Sequence, residues 1–206
     1  MSDLKQAIKQ NYLKCAKEPS YFINQFCTIQ HPQRGKIKFK LYPFQYDVLD
    51  EYQNNDYNVI LKSRQLGIST LSAAYSLWMM LFQNDKNILV IATTKDTAKN
   101  LITKVRVMYE ALPAWLKTAI VENNKLSLVF KNGSQIKAIA SNESAGRSEA
   151  LSLLILDEAA FIEKIDVIWT AAQQTLATGG RCLAISTPNG VGNWFHKTWV
   201  DAKDEL

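Results

Sequence analysis

The residues best suited to chemistry in this sequence are a lysine, a serine and a neighbouring aspartate and glutamate. Lys62-Ser63-Arg64-Gln65-Leu66-Gly67-Ile68-Ser69-Thr70 follows a short apolar run and leads into a stretch with helical spacing. A strand-loop-helix junction of this kind cradles phosphate, because free N–H groups of the loop and the helix N-terminus converge on anionic oxygens. Against the pattern G-x-x-x-x-G-K-[ST], Gly67 takes the second glycine and Ser69 the hydroxyl position. Ile68 stands where the usual lysine belongs, and Lys62 where the first glycine belongs. An ammonium at the loop entrance can fold back over the β- and γ-phosphates, so the charge is relocated and not lost. Taken alone, an ordinary polar turn accounts for the segment equally well.

A second element follows the apolar run Leu153 to Leu156: Asp157-Glu158-Ala159-Ala160. A carboxylate pair at the end of a buried strand suits a Mg²⁺-organising Asp and a water-polarising Glu. Asp157 would then hold the metal with the Ser69 hydroxyl, while Glu158 orients and deprotonates the attacking water. The competing reading makes Asp157 a helix N-cap. A third run ends in Ser186-Thr187-Pro188-Asn189-Gly190, by itself a turn signal. Beside the other two elements, Ser186 and Thr187 are placed to sense the γ-phosphate and relay its loss. Upstream, Gln45 in Leu41-Tyr42-Pro43-Phe44-Gln45 has the amide to pair with an adenine edge, with Tyr42 or Phe44 near the ring. A buried aromatic corner is the alternative there. Arg64 in the loop and Arg147 in Ser144-Ala145-Gly146-Arg147-Ser148 are the candidate arginine fingers, Arg64 in cis and Arg147 reaching a neighbouring subunit.

The elements that must position these residues are legible as a rhythm. Runs at Asn58 to Leu61, Ile88 to Ala92, Leu153 to Leu156 and Cys182 to Ile185 are too short for helices and too continuous for half-wet strands. That is the pattern of strands buried on both faces of a parallel sheet. Thr70 to Phe82 and Lys95 to Leu112 carry helical spacing between them, which implies an α/β sheet with helices on both faces. Lys125 to Phe130 and Gln135 to Ala140, joined through Asn132-Gly133, read as an antiparallel hairpin inserted in that sheet. Residues 1–40 are polar with aromatic patches and read as a lead-in segment, leaving 41–206 as the core.

Composition narrows the classes. The 206 residues carry 24 basic and 19 acidic side chains, a formal +5. That suits a globular protein and favours a polyanionic partner only weakly. Lys95, Lys99 and Lys104 on one helical stretch are candidate contacts for such a partner, or else a solvated face. Three scattered cysteines and two histidines assemble neither a disulfide framework nor a Cys/His metal site. No apolar run is long enough for a bilayer and the first residues lack a secretory h-region, so an intracellular protein without a membrane role is expected. The terminal Lys-Asp-Glu-Leu is an address read only behind a signal peptide.

Together, the Lys62 to Thr70 loop, Phe44-Gln45, Leu156-Asp157-Glu158-Ala159-Ala160-Phe161-Ile162 and Ser186 to Gly190 resemble the ATPase half of tailed-phage large terminases, over roughly Phe22 to Trp199. S-R-Q-x-G and D-E-A-A-F-I are fairly specific to that family, and the lysine at Lys62 matches a variant loop among its members. The resemblance implies a RecA-like ASCE P-loop NTPase fold and hydrolysis of ATP with Mg²⁺, driving double-stranded DNA through a portal into an empty capsid. The ATP-binding set would be Gln45 and Lys62 through Thr70, with Ser69 and Asp157 at the metal and Glu158 with Arg147 or Arg64 catalytic. Expected partners are DNA of any sequence, the portal protein, the small terminase subunit and further copies in a ring on the procapsid, in the host cytoplasm. The family's nuclease domain is expected to be absent from this chain, so no DNA cleavage is expected. A monomer in isolation should hydrolyse ATP slowly. Two rivals remain: a helicase-like translocase, which needs a second RecA-like domain, and a nucleotide-gated adaptor without turnover.

Overall fold

The computed structural model describes residues 2–141 and 150–204. Two helices, α1 (Ser2–Lys17) and α2 (Pro19–Phe26), lead into a small hairpin of β1 (Thr28–His31) and β2 (Gly35–Lys38). Then come α3 (Pro43–Asn54), β3 (Tyr57–Leu61), α4 (Ile68–Phe82), β4 (Asn87–Ala92) and α5 (Lys95–Ala111). A meander of β5 (Ile120–Asn123), β6 (Ser127–Phe130) and β7 (Gln135–Ala140) follows. After it stand β8 (Leu153–Asp157), α6 (Ile165–Leu176), β9 (Arg181–Ser186) and α7 (Trp194–Asp204).

Seven strands form one sheet in the order β3-β9-β8-β4-β7-β6-β5. The pairings from β3 through β7 are parallel, and β6 and β5 are added antiparallel. This is the mainly parallel α/β sheet with an antiparallel insertion that the apolar runs imply. The four expected buried strands fall within a residue of the observed ones, because their side chains feed two cores in strict alternation. Ile88, Val90, Leu153, Ile155, Leu183 and Ile185 enter the cluster under α4 and α5, while Leu89, Ile91, Leu154, Leu156, Cys182 and Ala184 enter the one under α6. Period-two side chains on a sheet covered on both faces leave no polar side, hence the continuous apolar runs.

Two features depart from the sequence reading. β5 has no counterpart in it; the strand's residues are mostly exposed, so a short edge with Glu122 and Asn123 gives no apolar alternation to find. Residues 1–40 are more than a lead-in: Cys15, Phe22, Ile23, Cys27 and Phe39 are buried in the same cluster as α4 and α5. The Trp78 indole N–H donates to the Cys15 carbonyl at 2.8 Å, tying α1 to α4. Wrapped by this segment and the sheet, α4 is buried nearly all round, which explains why its sequence is apolar on every face. Burial pushes the Cys15 thiol up to about 12 and raises Cys27 and Cys182 further, so all three are packing groups.

Ile155 lies at the centre of β8 with no exposed surface. Ile155→Ala should cost about 2–5 kcal/mol in urea unfolding, a large share of the roughly 5–15 kcal/mol that holds a typical domain folded. Val121→Ala on the exposed edge strand β5 should stay within about 0.5 kcal/mol. Equal costs would contradict the two-sided core.

Candidate functional site

Parallel strands bring their C-terminal ends to one edge of the sheet. Leu61 pairs with Ser186, and Asp157 pairs with Ile185 on one side and Ala92 on the other. The residues just after β3, β8 and β9 therefore converge, where ligands of open α/β sheets bind. Between β3, which leads into the Lys62 loop, and β8, which ends in Asp157, lies β9, so Ser186 and Thr187 stand between the other two elements.

The loop from Lys62 to Gly67 turns the chain from β3 into α4 by way of two left-handed residues, Gln65 (φ 64°) and Gly67 (φ 74°). A side chain is rarely tolerated at such φ, and a Cβ on Gly67 would meet the Gln45 amide nitrogen at 2.9 Å. Loop residues Gln65 through Thr70, with Lys62 and Lys104, line a cavity of 270 Å³ at the N-terminus of α4. Ile68, in the place of the usual lysine, is only 3% exposed and packs in the core, so an ammonium there would be buried in apolar surroundings. Ser63 and Arg64 are exposed.

Lys62 supplies the loop's cation. Its Nζ donates to Glu158 Oε1 at 2.7 Å, with side-chain exposures of 9% and 30% for lysine and glutamate. The other carboxylate oxygen, Oε2, accepts from the Thr187 backbone N–H at 3.1 Å and the Thr187 hydroxyl at 3.0 Å. Glu158 itself has φ 56°, a strained value for a residue with a side chain. Burial works to raise its pKa, but the Lys62 hydrogen bond and charge together with the two Thr187 bonds outweigh it and hold the carboxyl below its ordinary range. Asp157, 6% exposed, accepts from Ser69 Oγ at 2.9 Å. For this group burial wins and the pKa is raised, with the Ser69 bond and the Lys104 charge opposing and the Glu158 charge adding. Ser186 accepts from the Ala160 N–H at 3.0 Å, and Asn189 Nδ2 donates to the Ala160 carbonyl at 2.9 Å, so β9 also pins the turn after Glu158.

A second cavity, of 350 Å³, is lined by Arg64, Thr93, Glu158, Phe161 and Thr187. Arg64 thus faces the same space as Glu158 from within one chain. Arg147 lies outside the described residues.

Gln45 lies in the first turn of α3. It is 1% exposed, its Oε1 accepts from the Tyr42 N–H at 3.1 Å and its Nε2 donates to the Leu66 carbonyl at 2.9 Å. An amide so engaged ties the start of α3 to the loop after β3. Tyr42 and Phe44 stack on each other with ring centroids 5.9 Å apart and are exposed.

The sequence reading misses Lys104 as a site residue. Read with Lys95 and Lys99 as a contact for a polyanion such as DNA, or else a solvated face, it lines the loop cavity from α5. A signal for this exists: Leu101, Val105 and Met108 form the buried stripe of α5, and Lys104 lies three residues after one and four before another. Burial lowers its pKa, opposed by Asp157 and reinforced by Lys62.

Among the described residues no group of three or more His, Cys, Asp and Glu side chains is arranged to hold a metal. The Ser69 hydroxyl and the Asp157 carboxylate fit a different kind of site, one carboxylate and one hydroxyl completed by substrate phosphates and water, as Mg²⁺ prefers.

A sequence model of the family described as terminase large subunit, T4likevirus-type, N-terminal, matches residues 59–206. Among solved structures the chain is similar to the large terminase of bacteriophage HK97, at 21% identity and TM-score 0.71 over 92% of this chain and 41% of that one. The large terminase ATPase domain of Thermus phage P74-26 aligns at 25% identity and TM-score 0.61, over 77% of this chain and 69% of that one. The large terminase of a thermophilic bacteriophage, solved in complex with ADP, aligns at 17% identity and TM-score 0.64, over 80% of this chain and 43% of that one. The chain thus spans less than half the length of the HK97 protein and of the ADP-bound one.

The raised pKa of Asp157 has a consequence for stability. A carboxyl whose folded pKa lies above its unfolded one is penalised when ionised, so the cost is absent in acid and present at neutral pH. Asp157→Asn keeps an acceptor for Ser69 and removes that cost. It should stabilise the ligand-free protein at neutral pH by roughly 0.5–2 kcal/mol, with a smaller gain at mildly acidic pH. Thermal unfolding at the two pH values checks this, and destabilisation at neutral pH would contradict it.

Proposed function

The chain belongs to the family of T4likevirus-type large terminase subunits, in their N-terminal region, and on that premise we propose that it is an ATP-hydrolysing motor domain that drives double-stranded DNA into a procapsid. The observation that carries the reading is the convergence of Lys62, Ser69, Asp157, Glu158 and Thr187 at the C-terminal edge of a RecA-like sheet.

ATP enters with its phosphates against the loop N–H groups and the N-terminus of α4. In the free protein the two most important charges neutralise each other, since Lys62 is held by Glu158. Phosphate oxygens offer Lys62 a competing anion, and its transfer to them frees Glu158 Oε1 to accept a proton from the attacking water. Glu158 is not set loose by this exchange, because Thr187 keeps hold of Oε2 through two bonds. The carboxylate thus stays aimed while its free oxygen changes partner, and Thr187 at the end of β9 moves with it, which gives Ser186 and Thr187 their coupling role. Ser69 and Asp157 would hold Mg²⁺, which when bound neutralises the charge of the phosphate chain. Arg64, which lines a cavity together with Glu158, would serve as a finger in cis, with Arg147 of a neighbouring copy as the alternative in trans.

In the packaging machine the domain would act as one member of a ring at the portal, with the small subunit, in the cytoplasm of an infected cell. DNA would be held through phosphates and not bases, as moving any sequence requires. ATP hydrolysis, and not DNA cleavage, is the activity proposed for residues 41–206.

Phosphate release and nucleotide-binding titrations test the reading together. Glu158→Gln should retain nucleotide affinity and lose roughly 10²-fold or more in turnover. Lys62→Ala should weaken nucleotide binding by at least about tenfold, the scale of one lost charge-assisted bond. Wild-type turnover in either variant would overturn the role of that residue.

A further inference from the structure

The loop cavity has a second lysine that the loop pattern does not contain. We propose that Lys104, from α5, is a further phosphate-binding residue of the nucleotide site, acting beside Lys62 on the phosphate chain. The inference rests on the ATP reading above and extends it to a residue outside every motif of the sequence.

Three observations point the same way. First, Lys104 lines the same cavity as Gln65 through Thr70 and Lys62, so it borders the space a phosphate chain would fill. Second, Lys104 is half-buried on α5 between the buried Leu101, Val105 and Met108, and with Thr70 it also borders an adjoining cavity of 160 Å³ lined by Thr28, Ile29 and Gln30 of β1. A lysine packed along its methylenes presents its head group from a fixed direction and loses little freedom on binding an anion. Third, among the described residues the Lys104 ammonium makes no hydrogen bond or ion pair, whereas Lys62 is paired with Glu158 and Asp157 with Ser69. A half-buried ammonium without a bonded anion is a costly arrangement that an anionic ligand relieves.

The chemistry of the loop explains the need. The position that usually places a lysine along the phosphates is Ile68, which is packed in the core. Lys62 reaches from the other end of the loop and is shared with Glu158. Lys104 adds a second ammonium to the loop cavity from a neighbouring helix.

Equilibrium titration of the full chain with ADP and with ATP tests this. Lys104→Met, which keeps the stem, should raise both Kd values about tenfold or more, Lys104→Arg should restore most of the affinity, and Lys99→Met on the same helix should leave it unchanged. A Kd for Lys104→Met within about twofold of wild type would overturn the inference, a change too small for a lost charge-assisted bond, as would an arginine variant no better than the methionine one. Reductive methylation of the unmutated protein, read by mass spectrometry, keeps the test independent of how the variants fold. Saturating ADP should slow modification of Lys104 severalfold and leave Lys99 unaffected, and equal rates at Lys104 with and without ADP would overturn the inference. A wild-type chain that binds neither nucleotide would instead overturn the ATP reading itself.

Discussion

The site is organised around the ion pair between Lys62 and Glu158, two residues 96 positions apart joined at 2.7 Å. Removing either partner leaves the other partly desolvated and uncompensated, which is costly. Exchanging the lysine's partner is a different matter. A phosphate that takes Lys62 replaces one anion with another, and Glu158 keeps the N–H and hydroxyl of Thr187. The free energy of that exchange is a difference between two paired arrangements of the same cation, so nucleotide binding and release need not overcome the full strength of either.

Everything else in the fold serves to keep those partners in reach. The pair joins the ends of β3 and β8, which are not neighbours; β9 lies between them and contributes Thr187. Three residues reach their places through left-handed backbone, Gln65 and Gly67 in the loop and Glu158 after β8. Glycine adopts such a φ freely, but at Gln65 and Glu158 it persists only where the surroundings over-determine it. In this fold Gln45 grips the Leu66 carbonyl, and Ser186 and Asn189 grip Ala160. The buried helix α4, wedged between the sheet and the N-terminal segment, fixes the loop from the other side.

The sheet is legible in the sequence because burial on both faces writes itself as continuous apolar runs, and the hairpin because Asn132-Gly133 announces its turn. The loop and the carboxylates are legible because their chemistry demands particular residue types at strand ends. What escapes the sequence lacks such a demand. β5 is an exposed edge whose pairing rests on backbone groups, and the burial of α1 and α2 depends on partners distant in the chain. Gln45 has an amide that suits a base or a backbone equally well, and its bond to the Leu66 carbonyl depends on how α3 packs against the loop. Lys104 is visible as a lysine beside an apolar stripe, but its charge alone suggests a solvated face; its place follows from how α5 packs on β1 and the loop.

On the proposed mechanism, Lys62 changes partner when nucleotide binds. A crystal structure of the protein with ADP and Mg²⁺ measures this directly. The exchange requires Lys62 Nζ at hydrogen-bond distance, about 2.7–2.9 Å, from a phosphate oxygen, with Glu158 Oε1 released and Oε2 still on Thr187. Nucleotide bound in the cavity while Lys62 stays on Glu158 at its present 2.7 Å would contradict it.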